Sequence, residues 1–150
     1  MANPFIAMQQ TDSRTSESSL PRLREFAWDF ENDRFLFDAQ GNFREVEENE
    51  ALKVWIYKAL KTQRYRYESY RHGIIDADSD YGVDLEKYIG DTNNAVNAGY
   101  ISEEVRSCLA VNPYIKSIDS IEVSERRKDK LAVDVVLTSI YGTIETTVSV

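Results

Sequence analysis

Apolar and polar positions follow two periods along this chain, and the switches between them mark its elements. Phe26, Trp28 and Phe30 alternate with Ala27 and Asp29, which is strand period. Arg34 to Phe37 reads as the return strand of a hairpin, Asp38 to Asn42 as a second turn, and Phe43 to Val46 as a short third strand. Aromatics in such a run are expected to be core. From 49 to 62 the period becomes helical. Leu52, Trp55, Ile56, Ala59 and Leu60 share one face, with Trp55 at its centre. Asn49 suits the N-cap, Glu47, Glu48 and Glu50 the positive end of the helix dipole, and Lys58 and Lys61 the other end. Arg64-Tyr65-Arg66-Tyr67 looks extended, with the two arginines on one face. A short helix is expected over 83–89, stopped by Gly90, and a loop over 91–98. A second helix over 102–110 has Ser102 as its cap and turns Val105, Cys108 and Leu109 inward. Asn112-Pro113 ends it.

The last third changes character. Ile115, Ile118, Ile121 and Val123 are spread over a strand-like run, and residues 125–130 form a charged hairpin tip. Leu131, Val133, Val135 and Leu137 alternate with Ala132, Asp134, Val136 and Thr138. After a turn at Tyr141-Gly142, Ile144, Thr146, Val148 and Val150 alternate with Thr143, Glu145, Thr147 and Ser149. This predicts a three-stranded antiparallel meander with one polar face. The last strand is a core strand, an open edge, or both. The fold class is therefore α+β: an N-terminal β-hairpin, two main helices and a C-terminal antiparallel sheet with an open edge, in a single domain over 21–150. Residues 9–20, QQTDSRTSESSL, are too polar to order themselves, so residues 1–20 read as a flexible or partner-bound arm.

Composition narrows the function. The 150 residues make one ordinary domain, and 42% hydrophobic content supports a core. With 26 acidic against 18 basic residues the net charge is -8, which argues against a general nucleic-acid binder. No apolar run approaches the ~18 residues of a membrane helix. The N-terminus lacks the basic start and apolar stretch of a signal peptide. The single cysteine, Cys108, excludes an internal disulfide.

Catalytic and metal chemistry find little support. Asp76, Asp78 and Asp80 resemble the start of a calcium loop, but Tyr81 and Lys87 stand where that loop needs glycine and a bidentate glutamate. A catalytic dyad would have to use His72, the only histidine, and no nucleophile turn accompanies it. Cys108 reads as a small buried hydrophobe. Among so many acids some carboxylate pair will lie at a glycosidase spacing, yet no local sequence singles one out. From Lys58 to Arg71, basic residues interleave with Tyr65, Tyr67 and Tyr70. That pattern can bind single strands, but Arg and Tyr are equally enriched at protein interfaces, and protein contact ranks first.

The order of the pieces then becomes recognisable. Trp28-Asp29-Phe30 leads to Asn49-Glu50-Ala51-Leu52, Trp55-Ile56 and Ala59-Leu60, followed by Arg64-Tyr65, Tyr81-Gly82-Val83-Asp84-Leu85, Ile89-Gly90 and Asn112-Pro113-Tyr114-Ile115. Over about 22–150 this resembles the sheath-initiator family, the small lysozyme-like baseplate-wedge proteins of contractile phage tails. In particular it looks like the version in phage-like bacteriocins and defective prophages of Gram-positive bacteria. The resemblance implies a structural protein without enzymatic activity or cofactor, assembled in the host bacterial cytoplasm into a baseplate. Its implied partners are the sheath protein of the first ring, wedge proteins, and the tail tube or hub, with six copies per baseplate. Neither nucleic acid nor membrane is implied. The family's Glu-Pro-Arg motif keeps its proline at Pro113, while Asn112 and Tyr114 replace its charged flanks. Arg64, Arg66, Asn112, Pro113, Tyr114 and the edge residues Thr143, Glu145, Thr147, Ser149 and Val150 are the candidate interface. A phage-type glycosidase and a nucleic-acid-binding accessory protein are the alternatives.

Overall fold

The structure, a computed structural model, describes residues 20–64, 81–89, 94–127 and 130–150. Strands β1 (Arg24–Phe26), β2 (Trp28–Asp29), β3 (Arg34–Phe35) and β4 (Glu45–Glu47) open the chain. β1 pairs antiparallel with β4, and β2 with β3, and a bridge joins Phe37 to Phe43. Ala27 N–H donates to Arg44 O and Leu36 N–H to Ala27 O, so the two small sheets form one folded ribbon. Each turn is set by an aspartate. The Asp29 carboxylate accepts from the backbone of Glu31 and Asn32, and that of Asp38 from Gln40 and Asn42.

Helix α1 (Glu48–Lys61) runs through the centre of the protein. Ala51, Leu52, Val54, Ile56, Tyr57, Ala59 and Leu60 are all buried, more than one apolar face, because the ribbon covers a second side. Two expectations need correcting here. Trp55 is only half-buried, at the rim of the core against Tyr81, 6.0 Å between ring centroids. Asn49 is not the cap. Helix α1 begins one residue earlier, at Glu48 with φ of 57°, and its cap position, Glu47, makes no side-chain cap bond. Asn49 instead accepts a 2.6 Å hydrogen bond from the Ser139 hydroxyl and so ties the helix start to the sheet.

Residues 81–89 lie against the end of α1. Gly82 has φ of +94°, and a Cβ there would sit 2.5 Å from the Thr62 carbonyl oxygen, so only glycine fits. The expected helix over 83–89 is a single 3-10 turn at Glu86–Tyr88; Val83 and Leu85 are buried ahead of it. Helix α2 (Asn94–Ala110) starts well before the expected Ser102. Asn97 and Gly99 are poor helix formers and hid its first turns, whereas Ile101, Val105, Cys108 and Leu109 form the buried stripe that holds it.

Strands β5 (Ile115–Arg127), β6 (Lys130–Ser139) and β7 (Gly142–Ser149) form an antiparallel sheet in that order. The irregular spacing of isoleucines in β5 has a geometric reason. Register shifts at 115/117 and 118/120 are β-bulges, and each absorbs an extra residue. Ile115, Ile118, Ile121 and Val123 thereby all pack toward the core. They join Leu131, Val133, Val135, Leu137, Ile144 and Val148 beneath the two helices.

Candidate interaction edge

The two edges of this sheet differ. Helix α2 packs along β5, and the Arg106 guanidinium donates to Ile118 O at 3.2 Å. β7 has no strand partner on its outer side among the described residues. Its hydrogen-bond phase follows from one pair: Val150 N–H donates to Leu131 O at 2.8 Å and Leu131 N–H to Val150 O at 3.0 Å. In an antiparallel ladder such pairs recur at every second residue. The register is unbroken from Ala132↔Ser149 to Ser139↔Gly142. Gly142, Ile144, Thr146, Val148 and Val150 therefore direct their backbone groups to β6. Thr143, Glu145, Thr147 and Ser149 direct theirs outward. Ile144 and Val148 are buried, so the strand is at once a core strand and an edge. On the polar face the Thr147 hydroxyl bonds the carboxylate of Asp134 opposite it.

The other candidate residues are not gathered at this edge. Asn112 is buried in the turn from α2 to β5, where its side chain accepts from Tyr114 N–H at 2.9 Å. Tyr114 stacks on Tyr141, 6.2 Å between ring centroids, and its hydroxyl donates to Pro21 O. Pro113 between them is exposed. Arg64 is half-buried, close enough to Cys108 to act on its thiol. Arg66 lies outside the described residues, as do Tyr65, Tyr67, Tyr70, Arg71, His72 and the acidic run at 76–80.

The ribbon overturns the expected burial of its aromatics. Phe26, Phe30, Phe37 and Phe43 are each more than two-fifths exposed, although linked by ring contacts. Phe30 touches Tyr57 of α1, whereas the ring contacts of Phe26, Phe37 and Phe43 stay within the ribbon; strand alternation is legible, but it does not say which face gains a cover.

Among the described residues, the carboxyls displaced from their ordinary values move down, the wrong direction for a general acid. The hydrogen bonds of Asn32 hold Asp29 low, the Asn42 backbone holds Asp38 low, and Arg24 with Arg22 holds Glu47 low. Burial pushes the Cys108 thiol up to about 11, so it is not a thiolate nucleophile at neutral pH. Among the described residues no three His, Cys, Asp or Glu side chains gather as a metal site would, and no helix is long and apolar enough to cross a membrane.

Residues 24–142 match the family model for the contractile injection system sheath initiator. The chain belongs to that family. It is accordingly a structural component of a contractile injection system, with a place in the baseplate of a phage-type tail. The sheath-initiator fold is shared with a crystal structure from Geobacter sulfurreducens, named there as a tail lysozyme. The two are 17% identical with a TM-score of 0.51, and the match covers 78% of this chain and 94% of that one. At that identity the likeness carries the fold alone. No match was found among curated proteins.

Proposed function

We propose that this sheath initiator starts the sheath by strand addition at β7. An extended arm of a first-ring sheath subunit pairs with the outward backbone groups of Thr143, Glu145, Thr147 and Ser149. The subunit's other surfaces meet the wedge proteins and the tail tube, in six copies around the baseplate, assembled in the bacterial cytoplasm. The observation that carries this reading is the β7 edge: among the described residues no strand pairs with its outer side, whereas on the β5 edge Arg106 of α2 already occupies the Ile118 carbonyl. Such an edge is a template for another chain's strand. Arg64 and Arg66, with Pro113, are proposed contacts to baseplate partners.

The test is assembly with and without this subunit, followed by electron microscopy. Baseplates with bare tubes when it is withheld, and sheathed tubes when it is added back, are expected. Full-length sheath on particles that lack it would refute the reading. The enzyme alternative predicts peptidoglycan hydrolysis by the purified protein; none is expected.

A further inference from the structure

Five of the six phenylalanines lie between residues 26 and 43. Phe26, Phe37 and Phe43 are 44, 55 and 48% exposed. Yet they form one surface with Phe35: centroids are 5.1 Å apart for Phe26–Phe43, 5.2 Å for Phe35–Phe43 and 5.0 Å for Phe37–Phe43. A phenylalanine presents roughly 150–250 Å², so the three exposed rings leave on the order of 300 Å² of joined apolar surface. That is the size of the largest apolar patch on a typical monomer, which is often functional. At its margins Arg22 and Arg24 pair with Glu47, and Lys58 with Glu25, while Arg44 and Glu45 follow Phe43 in sequence. The face itself is apolar.

The chain supplies its own occupant. Pro21 and Leu23 are pinned to the body, the first by the Tyr114 hydroxyl and the second by Tyr141 and by Glu48 N–H. From there the backbone runs directly into β1 and Phe26. The segment ahead of Leu20 holds one apolar run, Phe5-Ile6-Ala7-Met8, and eleven residues separate Met8 from Leu20. A coil of that length has a typical end-to-end distance of about 20 Å, enough to reach the ribbon. Tethering gives an effective concentration near ~1 mM, far above that of any free partner. A second copy is disfavoured, since each chain carries a net charge of -8. The segment itself carries only Asp12, Arg14 and Glu17 as charged side chains.

We propose that the phenylalanine face of the ribbon seats the chain's own N-terminal segment, with Phe5, Ile6 and Met8 packed across Phe26, Phe37 and Phe43. This does not rest on strand addition at β7.

The test uses the full chain with Ala7→Cys and a thiol-reactive spin label. Cys108 is 2% exposed with its thiol pushed up to about 11, so the label goes to position 7. The expected result is broadening of the amide signals of Phe26, Phe37 and Phe43, reversed when the label is reduced. Signals of β7 stay sharp. Adding Phe5→Ser and Ile6→Ser to the labelled chain restores the ribbon signals. Three results overturn the proposal: no broadening on the ribbon, broadening that survives the serine substitutions, or broadening of an isotope-labelled chain by a separate spin-labelled chain, which assigns the face to a second copy.

Discussion

A proline at Thr147 separates an open edge from an interior strand. Thr147 stands opposite Asp134 at a position where the ladder makes no backbone bond, so its N–H faces outward. Proline there deletes no bond to β6, and strands tolerate proline where the N–H faces away from the sheet. The cost is the hydroxyl bond to Asp134, at ~0.5–1.5 kcal/mol. One residue earlier the outcome reverses. Thr146 stands opposite Val135, fully buried, at a bonded position. Thr146→Pro removes a ladder donor and strands a buried carbonyl, at ~1–3 kcal/mol before any steric misfit. For a domain of this size ~1 kcal/mol moves Tm by about 2–4 °C. Thermal unfolding should therefore show Thr147→Pro within a few degrees of the parent and Thr146→Pro well below it. The Thr147→Pro protein is then assembled with baseplate, tube and sheath components and imaged. Folded protein, intact baseplates and tubes without sheath are expected. If it folds and supports full-length sheath, the sheath does not begin at this edge. If it fails to fold, the N–H of Thr147 points inward and the ladder phase is wrong.

Four further outcomes follow from particular contacts. Trp55→Ala should cost about 2 kcal/mol in chemical denaturation, below the ~3–5 of a fully buried tryptophan, because the ring is half-buried at the core's rim; a loss as large as for Ile56→Ala would contradict that placement. Gly82→Ala should destabilise by more than ~1 kcal/mol, since Cβ would meet the Thr62 carbonyl oxygen at 2.5 Å with φ at +94°; an unchanged Tm would remove that close approach. Gly99→Ala, in open space within α2, should stabilise by ~0.4–1 kcal/mol, and a loss of stability would mean the helix does not run through 99. Glu47, Asp29 and Asp38 are held below their ordinary pKa values, so their contribution is complete above the ordinary carboxylate range and is lost as pH falls through the folded values. Protection of the β1 and β4 amides, taken relative to the intrinsic exchange rate at each pH, should fall on acidification, less so in Glu47→Gln; equal acid sensitivity in that variant would discount the Arg24–Glu47 pairing.

The C-terminal sheet was the most legible part of the fold. Strict alternation in 131–138 and 143–150 fixed both strands and the face each residue takes, because a half-buried strand has no other way to sort its side chains. The β5 run was readable as strand, but its isoleucines at intervals of three made sense only with the bulges. Helix α1 was legible from its stripe, although its start was not, since Asn49 serves the sheet instead of the cap. Helix α2 was half legible: propensity fails at Asn97 and Gly99, and burial of Ile101 overrides it. Exposure of the ribbon's aromatics is not legible in the sequence, because hydrophobicity does not say what covers a residue. At the candidate edge, alternation identified Thr143, Glu145, Thr147 and Ser149. That their backbone faces outward depended on the phase of pairing with β6, which one strand's sequence does not contain. Asn112 and Tyr114 carried no signal of their hydrogen bonds within the chain.

The energetics of strand addition bear on how such an edge can work at all. Four outward residues offer up to eight backbone bonds to an added strand. At ~0.5–1.5 kcal/mol net each, these contribute on the order of 8 kcal/mol. Ordering the backbone of an eight-residue arm costs roughly 8–16 kcal/mol. Hydrogen bonding alone therefore does not hold one arm on one subunit; side-chain contacts must add to it, and affinity between isolated partners should be weak. That weakness has a use. With Glu145 beside the open backbone and a charge of -8 on every copy, free subunits are expected neither to pair with one another nor to seed sheath in solution. In the proposed ring of six, edges held on one baseplate would change the arithmetic, because once one arm is seated its ring neighbours arrive at high local concentration. Sheath growth should then depend steeply on a complete ring and little on the affinity of any single edge. Mixing wild-type and Thr147→Pro subunits in one baseplate tests this: the sheathed fraction should fall faster than the wild-type fraction, and a proportional fall would mean that each edge starts sheath alone.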